Sequence, residues 1–165
     1  MIIKYTNFSD GIHELEFVEP AEKLKLGSAF LGNVVLQCRM DKSSHQIILD
    51  CNVTAYAKLI CDRCNSEFNK ELHSHYFLSY LFSKSKRISD DENIKFLLPD
   101  SDKIDLTDDV VEYTKLSVPM KILCKEDCKG LCSKCGANLN EMQCKCEQQI
   151  ENEVWLPLKN LLKTT

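Results

Sequence analysis

The sequence predicts an α+β fold: an antiparallel β-sheet, compatible with a barrel, joined by a helix and a cysteine-rich C-terminal module. Three observations carry that expectation. Apolar and polar residues alternate over long runs in the first half of the chain, as half-buried strands require. A capped helical pattern follows near Thr107. Then CKEDCKGLCSKCGANLNEMQCKC, Cys124 to Cys146, places six cysteines in 23 residues.

Along the chain, Ile2–Tyr5 and Ile12–Val18 read as short strands separated by Asn7, Ser9, Asp10 and Gly11, residues that suit a turn. From Val34 to Met40, alternate residues Val34, Leu36, Cys38 and Met40 share one face. The longest run puts Ile47, Leu49, Cys51, Val53, Ala55, Ala57 and Leu59 on one side and polar residues mostly on the other. After Cys61-Asp62-Arg63-Cys64 the alternation resumes through Phe68, Leu72, Tyr76, Leu78, Tyr80 and Phe82, which predicts a hairpin with Cys61 and Cys64 near its tip. Ser83–Asn93 is almost wholly polar and reads as a surface loop. Ile94–Leu98 suggests one more strand before Pro99. Leu106-Thr107-Asp108-Asp109 then opens a helix to about Ser117, with Thr107 able to cap, two acids at the positive end of the dipole, and Leu106 able to staple against Val111. A last amphipathic stretch carries Val154, Trp155, Leu158, Leu161 and Leu162, with Pro157 opening or kinking it. The expected organisation is a β region over 1–82, a polar linker over 83–103, and a helix, cysteine-rich module and C-terminal helix over 104–165, packed with the first region as one domain.

The 165 residues suffice for a real hydrophobic core, so covalent staples are not needed for folding. The N-terminus alternates like a strand and lacks the basic start and apolar run of a secretory signal. No apolar segment approaches the length of a membrane span. A cytoplasmic protein with reduced cysteines is expected. Formal net charge is −4, which argues against a surface that tracks a phosphate backbone throughout and limits nucleic-acid contact to a local patch.

The ten cysteines include four close pairs: Cys61/Cys64, Cys124/Cys128, Cys132/Cys135 and Cys144/Cys146. Short pairs are what a tetrahedral metal needs, because one turn presents two sulfurs and a second pair closes the site. Gly130 and Gly136 allow the tight turns that aim backbone amides at thiolates. Soft thiolate donors favour zinc over an iron–sulfur cluster, as one ion or two. Cys132, Cys135, Cys144 and Cys146 are near in sequence and form a knuckle-like set. That leaves Cys61/Cys64 to meet Cys124/Cys128, although Cys61/Cys64 with Cys132/Cys135 is an alternative. Cys38 and Cys51 lie on apolar faces without an evident partner and read as small buried hydrophobes. The competing reading of Cys61-x-x-Cys64 is a redox dithiol, but it lacks a strand-to-helix setting.

Lys125, Lys129, Lys134 and Lys145, with Asn138 and Asn140, are the candidate RNA- or partner-binding residues. They serve equally to offset zinc–thiolate sites, each formally −2. His73 and His75, two apart on a strand, read as surface histidines. No glycine-rich phosphate loop, His-Glu-x-x-His or nucleophile–base pair is visible, so no enzyme and no small-molecule substrate are expected.

Taken in order, Cys61-x-Arg63-Cys64, an acidic linker, Ile104-Asp105-Leu106 with its helix, and CKGLCSKCGANLN ending in Cys144-x-Cys146 resemble the YceD-like family of large ribosomal RNA subunit accumulation proteins. One departure is Glu153-Val154-Trp155 where that family commonly carries an Asp-Pro-Arg type segment. The resemblance implies a role in accumulation or processing of large-subunit (23S) ribosomal RNA. Precursor RNA or an early ribosomal protein is the expected partner, and a monomer is expected. A zinc–thiolate redox sensor and a zinc-stabilised protein adaptor without RNA contact are the alternatives.

Overall fold

Period-two alternation produces a five-stranded sheet of order β2-β3-β4-β5-β6, where β2 is Gly11–Pro20, β3 Phe30–Lys42, β4 Gln46–Ile60, β5 Glu67–Phe82 and β6 Ile94–Leu97. The computed structural model describes residues 1–83 and 93–146. The expected C-terminal helix around Val154–Leu162 and most of the expected Ser83–Asn93 loop lie outside the described residues. The remaining elements are β1 (Ile2–Ile3), a 3₁₀ turn (Tyr5–Asn7), β7 (Ile104–Asp105) and α1 (Thr107–Leu116).

Two compact units are present, Met1–Asp62 with Ser66–Cys124, and Arg63–Asn65 with the chain from Lys125 onward. The first holds the sheet and α1; the second holds the cysteine-rich segment. Neighbours β2 to β5 pair antiparallel, and β5 pairs with β6 in parallel, so the sheet is mixed. Two expectations are thereby corrected. The sheet is not purely antiparallel, because β6 runs parallel to β5, with Ser79 opposite Ile94 and Phe82 opposite Leu97. Nor is it a closed barrel: β2 and β6 stand at opposite edges and do not pair.

Alternate residues of β3, β4 and β5 point to one side and are almost wholly buried, among them Leu36, Met40, Ile47, Leu49, Val53 and Leu78. Ile3, Leu24, Leu26, Ile104, Leu106 and Val110 join them in the same core, so the short β1–β7 pair, the 21–26 loop and α1 all cover this face. Tyr76 of β5 stacks on Tyr113 of α1 with ring centres 4.1 Å apart. Asp109 is buried on α1 and receives a hydrogen bond from Lys95 of β6. That contact neutralises a charge that burial would otherwise penalise.

Cys38 and Cys51 are buried as expected, but the expectation that each lacks a partner is overturned. The β3–β4 register sets them directly opposite, and they are joined by a disulfide. Equal parity on two strands puts both on the buried face; only register makes them neighbours. The expectation of uniformly reduced cysteines falls with it.

The helix begins where expected, with a different cap. Leu106 occupies the cap position without a side-chain hydrogen bond, and Asp105 accepts from both the amide (2.9 Å) and the hydroxyl (2.6 Å) of Thr107. Thr107 itself caps nothing: it is the first residue of the helix, and its hydroxyl donates to Asp105 while its oxygen accepts from the Met1 amino group. Those bonds, led by the Thr107 hydroxyl, hold the Asp105 carboxyl below its usual range. A carboxyl depressed in the folded state stabilises above its unfolded value and loses that contribution as pH falls through the folded one. Asp105→Ala is therefore expected to lower stability by about 1 kcal/mol at neutral pH and to abolish the part of the acid-induced loss below about pH 4 that this group carries, both measured by urea denaturation across a pH series.

Candidate metal centres

The β4–β5 connection is tight because Cys61 donates its amide to Ser66 (3.0 Å) and Asn65 takes a positive φ of 54°, a conformation that asparagine tolerates. Asp62 fixes the segment that leads to the next cysteine. Its amide donates to the Ile122 carbonyl (2.8 Å) and its carboxylate accepts from the Ile122 amide (2.6 Å), while Ile122 packs near Ala57, Leu59 and Leu72. Arg63 donates to the carbonyl of Cys128 (2.9 Å). The sulfurs of Cys61, Cys64, Cys124 and Cys128 lie within 4.8 Å of one another, with all but Cys124 buried.

Cys132, Cys135, Cys144 and Cys146 form a second group on the same criterion, half-buried to exposed. A short knuckle makes it. Cys132 donates to the Ala137 carbonyl (2.8 Å), Gly136 donates to the Cys132 carbonyl (2.9 Å), and Leu131 bridges antiparallel to Asn138. Gly136 sits at φ 72°, where a side chain is strained. Gly130, at φ 75°, carries a second constraint, because a Cβ there would stand 3.1 Å from the Arg63 carbonyl oxygen. The amides of Cys135 and Lys134 point at the Cys132 sulfur and pull its pKa down to about 6. Its neighbours behave oppositely: hydrogen bonding with the Cys144 and Cys135 sulfurs pushes the Cys146 thiol up to about 12. The Cys132 thiolate forms readily, while the Cys144 and Cys146 thiols are held back. A divalent cation removes that obstacle.

The donor sets suit such an ion. Four sulfurs at about 2.3 Å around a tetrahedral centre stand roughly 3.8 Å apart. Cys144 lies 3.4 Å from both Cys132 and Cys135, and all four sulfurs fall inside the 4.8 Å envelope. These two thiol groups could hold metal ions. The grouping puts Cys61/Cys64 with Cys124/Cys128, and not with Cys132/Cys135.

The other candidate residues fare unequally. Lys125, Lys129, Lys134 and Lys145 are exposed, with Lys125 4.0 Å from Asp127. Asn138 and Asn140 are instead engaged within the module. Asn140 accepts from the Lys129 amide (2.9 Å) and donates to the Cys128 sulfur (3.3 Å) and to Asn138 (2.9 Å), while Asn138 donates to Glu141 (2.7 Å). Asn140 thus orients a thiol, a role that sequence reading missed; the Asn-x-Asn spacing after the knuckle was its one signal. A cavity of about 490 Å³ beside the second group is lined by Lys129, Leu131, Leu139 and Met142 among others. His75 meets Asp50 (2.7 Å) and His73 meets Thr54 (3.3 Å) on the open sheet face.

The glycines give a test that needs no metal. Gly136→Ala is expected to cost about 1–2 kcal/mol, the price of a left-handed residue with a Cβ. Gly130→Ala should cost more, because its Cβ also crowds the Arg63 carbonyl. Urea unfolding curves of the two variants compare them directly.

Three comparisons with known proteins follow from this geometry. The family model for "Large ribosomal RNA subunit accumulation protein YceD" matches residues 49–162, more than half of the chain. An Arabidopsis thaliana protein named large ribosomal RNA subunit accumulation protein YCED homolog 1, chloroplastic, is 24% identical over 146 residues, covering 73% of this chain and 46% of that protein. An uncharacterized protein of Mycobacterium leprae is 24% identical over 110 residues, covering 63% of this chain and 48% of its own length. The chain therefore spans about half the length of the curated relatives it matches. No solved structure matches it. With its paired cysteines and glycine-turned knuckle inside the matched region, the chain belongs to the YceD family of large ribosomal RNA subunit accumulation proteins.

Proposed function

We propose that the chain is a non-enzymatic factor in ribosome biogenesis that promotes accumulation of the 23S ribosomal RNA, and that each thiol group holds one zinc ion. The observation that carries this reading is the family match together with two sets of four sulfurs free of oxygen or nitrogen donors. Softness of the donors favours zinc. Zinc bound to Cys61, Cys64, Cys124 and Cys128, and to Cys132, Cys135, Cys144 and Cys146, would supply a structural cross-link. The chain's own groups prepare for it: the Lys134 and Cys135 amides donate to the Cys132 sulfur and favour its thiolate form, the Cys146 amide donates to the Cys144 sulfur, and the Asn140 side chain donates to the Cys128 sulfur. The exposed lysines beside the sites offset the negative charge that four thiolates leave on a divalent ion. No helix among the described residues is long and apolar enough to cross a membrane. Action in the cytoplasm, as a monomer, on precursor RNA or on an early ribosomal protein completes the proposal.

Elemental analysis of protein purified without chelator should give a zinc-to-protein ratio near two, falling by about one in Cys135→Ser and by about one in Cys128→Ser. Because the ligands must be deprotonated, protons compete with zinc, and the metal should be released as pH is lowered. Metal-free folded protein would overturn the zinc assignment. Depletion of the protein in cells should lower large-subunit relative to small-subunit ribosomal RNA, read by quantitative RNA electrophoresis. An unchanged ratio would overturn the functional reading.

A further inference from the structure

Antiparallel sheets commonly leave one face to water, and that face is ordinarily polar. Here it is not. Ile12, Val18, Tyr56, Ile60 and Phe77, each 47–54% exposed, belong to one side of the five-stranded sheet. The register establishes this: Ile12 stands opposite Asp41 and Asp41 opposite Ile48, while Val18 meets Val35, Asp50 meets Phe77, and Tyr56 meets Glu71. Large apolar side chains set among carboxylates on a solvated sheet face suit a surface that binds a partner.

The charges on the same face choose the partner. Arg39 and Lys58 are its permanent cations among the described residues, and each already lies beside a carboxylate, Glu14 at 4.0 Å and Glu67 at 2.5 Å. Glu16, Asp41, Asp50 and Glu71 remain without a permanent counter-charge on the face. Glu16 is held by the Gln37 amide (2.9 Å) and Glu71 by the Tyr56 hydroxyl (2.7 Å). These neutral donors fix the carboxylates in place and leave their charge intact. A cavity of about 490 Å³ opens on the same face, lined by Glu14, Glu16, Gln37, Arg39, Asp50 and Asn52. Its carboxylates and amide oxygens match the planar donors of a guanidinium group.

We propose that this sheet face docks a basic protein segment in which arginine or lysine alternates with apolar residues, the cationic side chains meeting Glu16 and Asp50 beside the Glu14–Arg39 pair and the apolar ones covering Phe77, Tyr56 and Ile12. The proposal rests on the ribosome-biogenesis reading only in supplying that reading with a partner class, an early basic ribosomal protein. A phosphate backbone is disfavoured on this face by the same carboxylates.

The test uses the full chain, a fluorescein-labelled peptide of alternating arginine and leucine, and a labelled oligouridine, followed by anisotropy. Glu14→Lys with Glu16→Lys should weaken the peptide roughly tenfold or more, and Phe77→Ala should weaken it also. Glu22→Lys with Glu112→Lys, an equal charge change at exposed positions elsewhere, should leave affinity within about twofold. Equal losses in the two double variants would reduce the binding to net charge and overturn the proposal. Oligouridine that binds the wild type and is displaced by the peptide would assign the face to RNA and overturn it too. Should depletion leave the ribosomal RNA ratio unchanged while the peptide results hold, the functional reading fails and the docking surface stands. The reverse pattern removes the docking surface alone.

Discussion

Sulfur atoms crowded within 4.8 Å of one another repel once they ionise, and the cysteine-rich segment is built around that repulsion. Its backbone donates amides to sulfur, glycines at 130 and 136 let the chain turn tightly enough to do so, and asparagines close the small loops between. Few apolar side chains are available there. Leu131 and Met142 are largely exposed, so burial contributes little to holding the segment together. A cation that neutralises the thiolates would hold such a segment together.

The sheet has the opposite economy. Its inner face is continuous and dry, from Val34 through Leu49 to Leu78, and needs no ion. Among the polar groups buried against it, Thr114 returns its hydroxyl to the Val110 carbonyl and Asp109 takes a hydrogen bond from Lys95 on one oxygen, while its Oδ2 and the Tyr76 hydroxyl find no hydrogen-bond partner among the described residues. Such a rigid support frees the outer face from structural duty. Carboxylates and aromatic rings can then be displayed on it at fixed spacing, as the Glu71–Tyr56 and Asp50–His75 pairs are.

Much of this was legible before any coordinates. Ile47 to Leu59 alternates without interruption, and β4 follows it to within a residue at each end. The hairpin and its Cys61–Cys64 turn were legible for the same reason, since two periodic runs flank a short polar break. The start of α1 was visible in the acids at 108 and 109, although its cap was not. Asp105 and Thr107 are both good caps, and only the path of the chain decides which carries the bond. Asn138 and Asn140 read as candidate RNA contacts because composition shows that they are polar without showing where their donors point.

By itself the sequence determined which residues could be buried and which could bind metal, because periodicity and thiol spacing are local properties of the chain. Tertiary structure decided what is adjacent. It set Cys38 against Cys51, made β6 parallel, left the sheet open, and sorted eight thiols into two groups of four. Each of those outcomes depends on register or on the return path of a connection, and neither leaves a trace in the order of residues within a single strand.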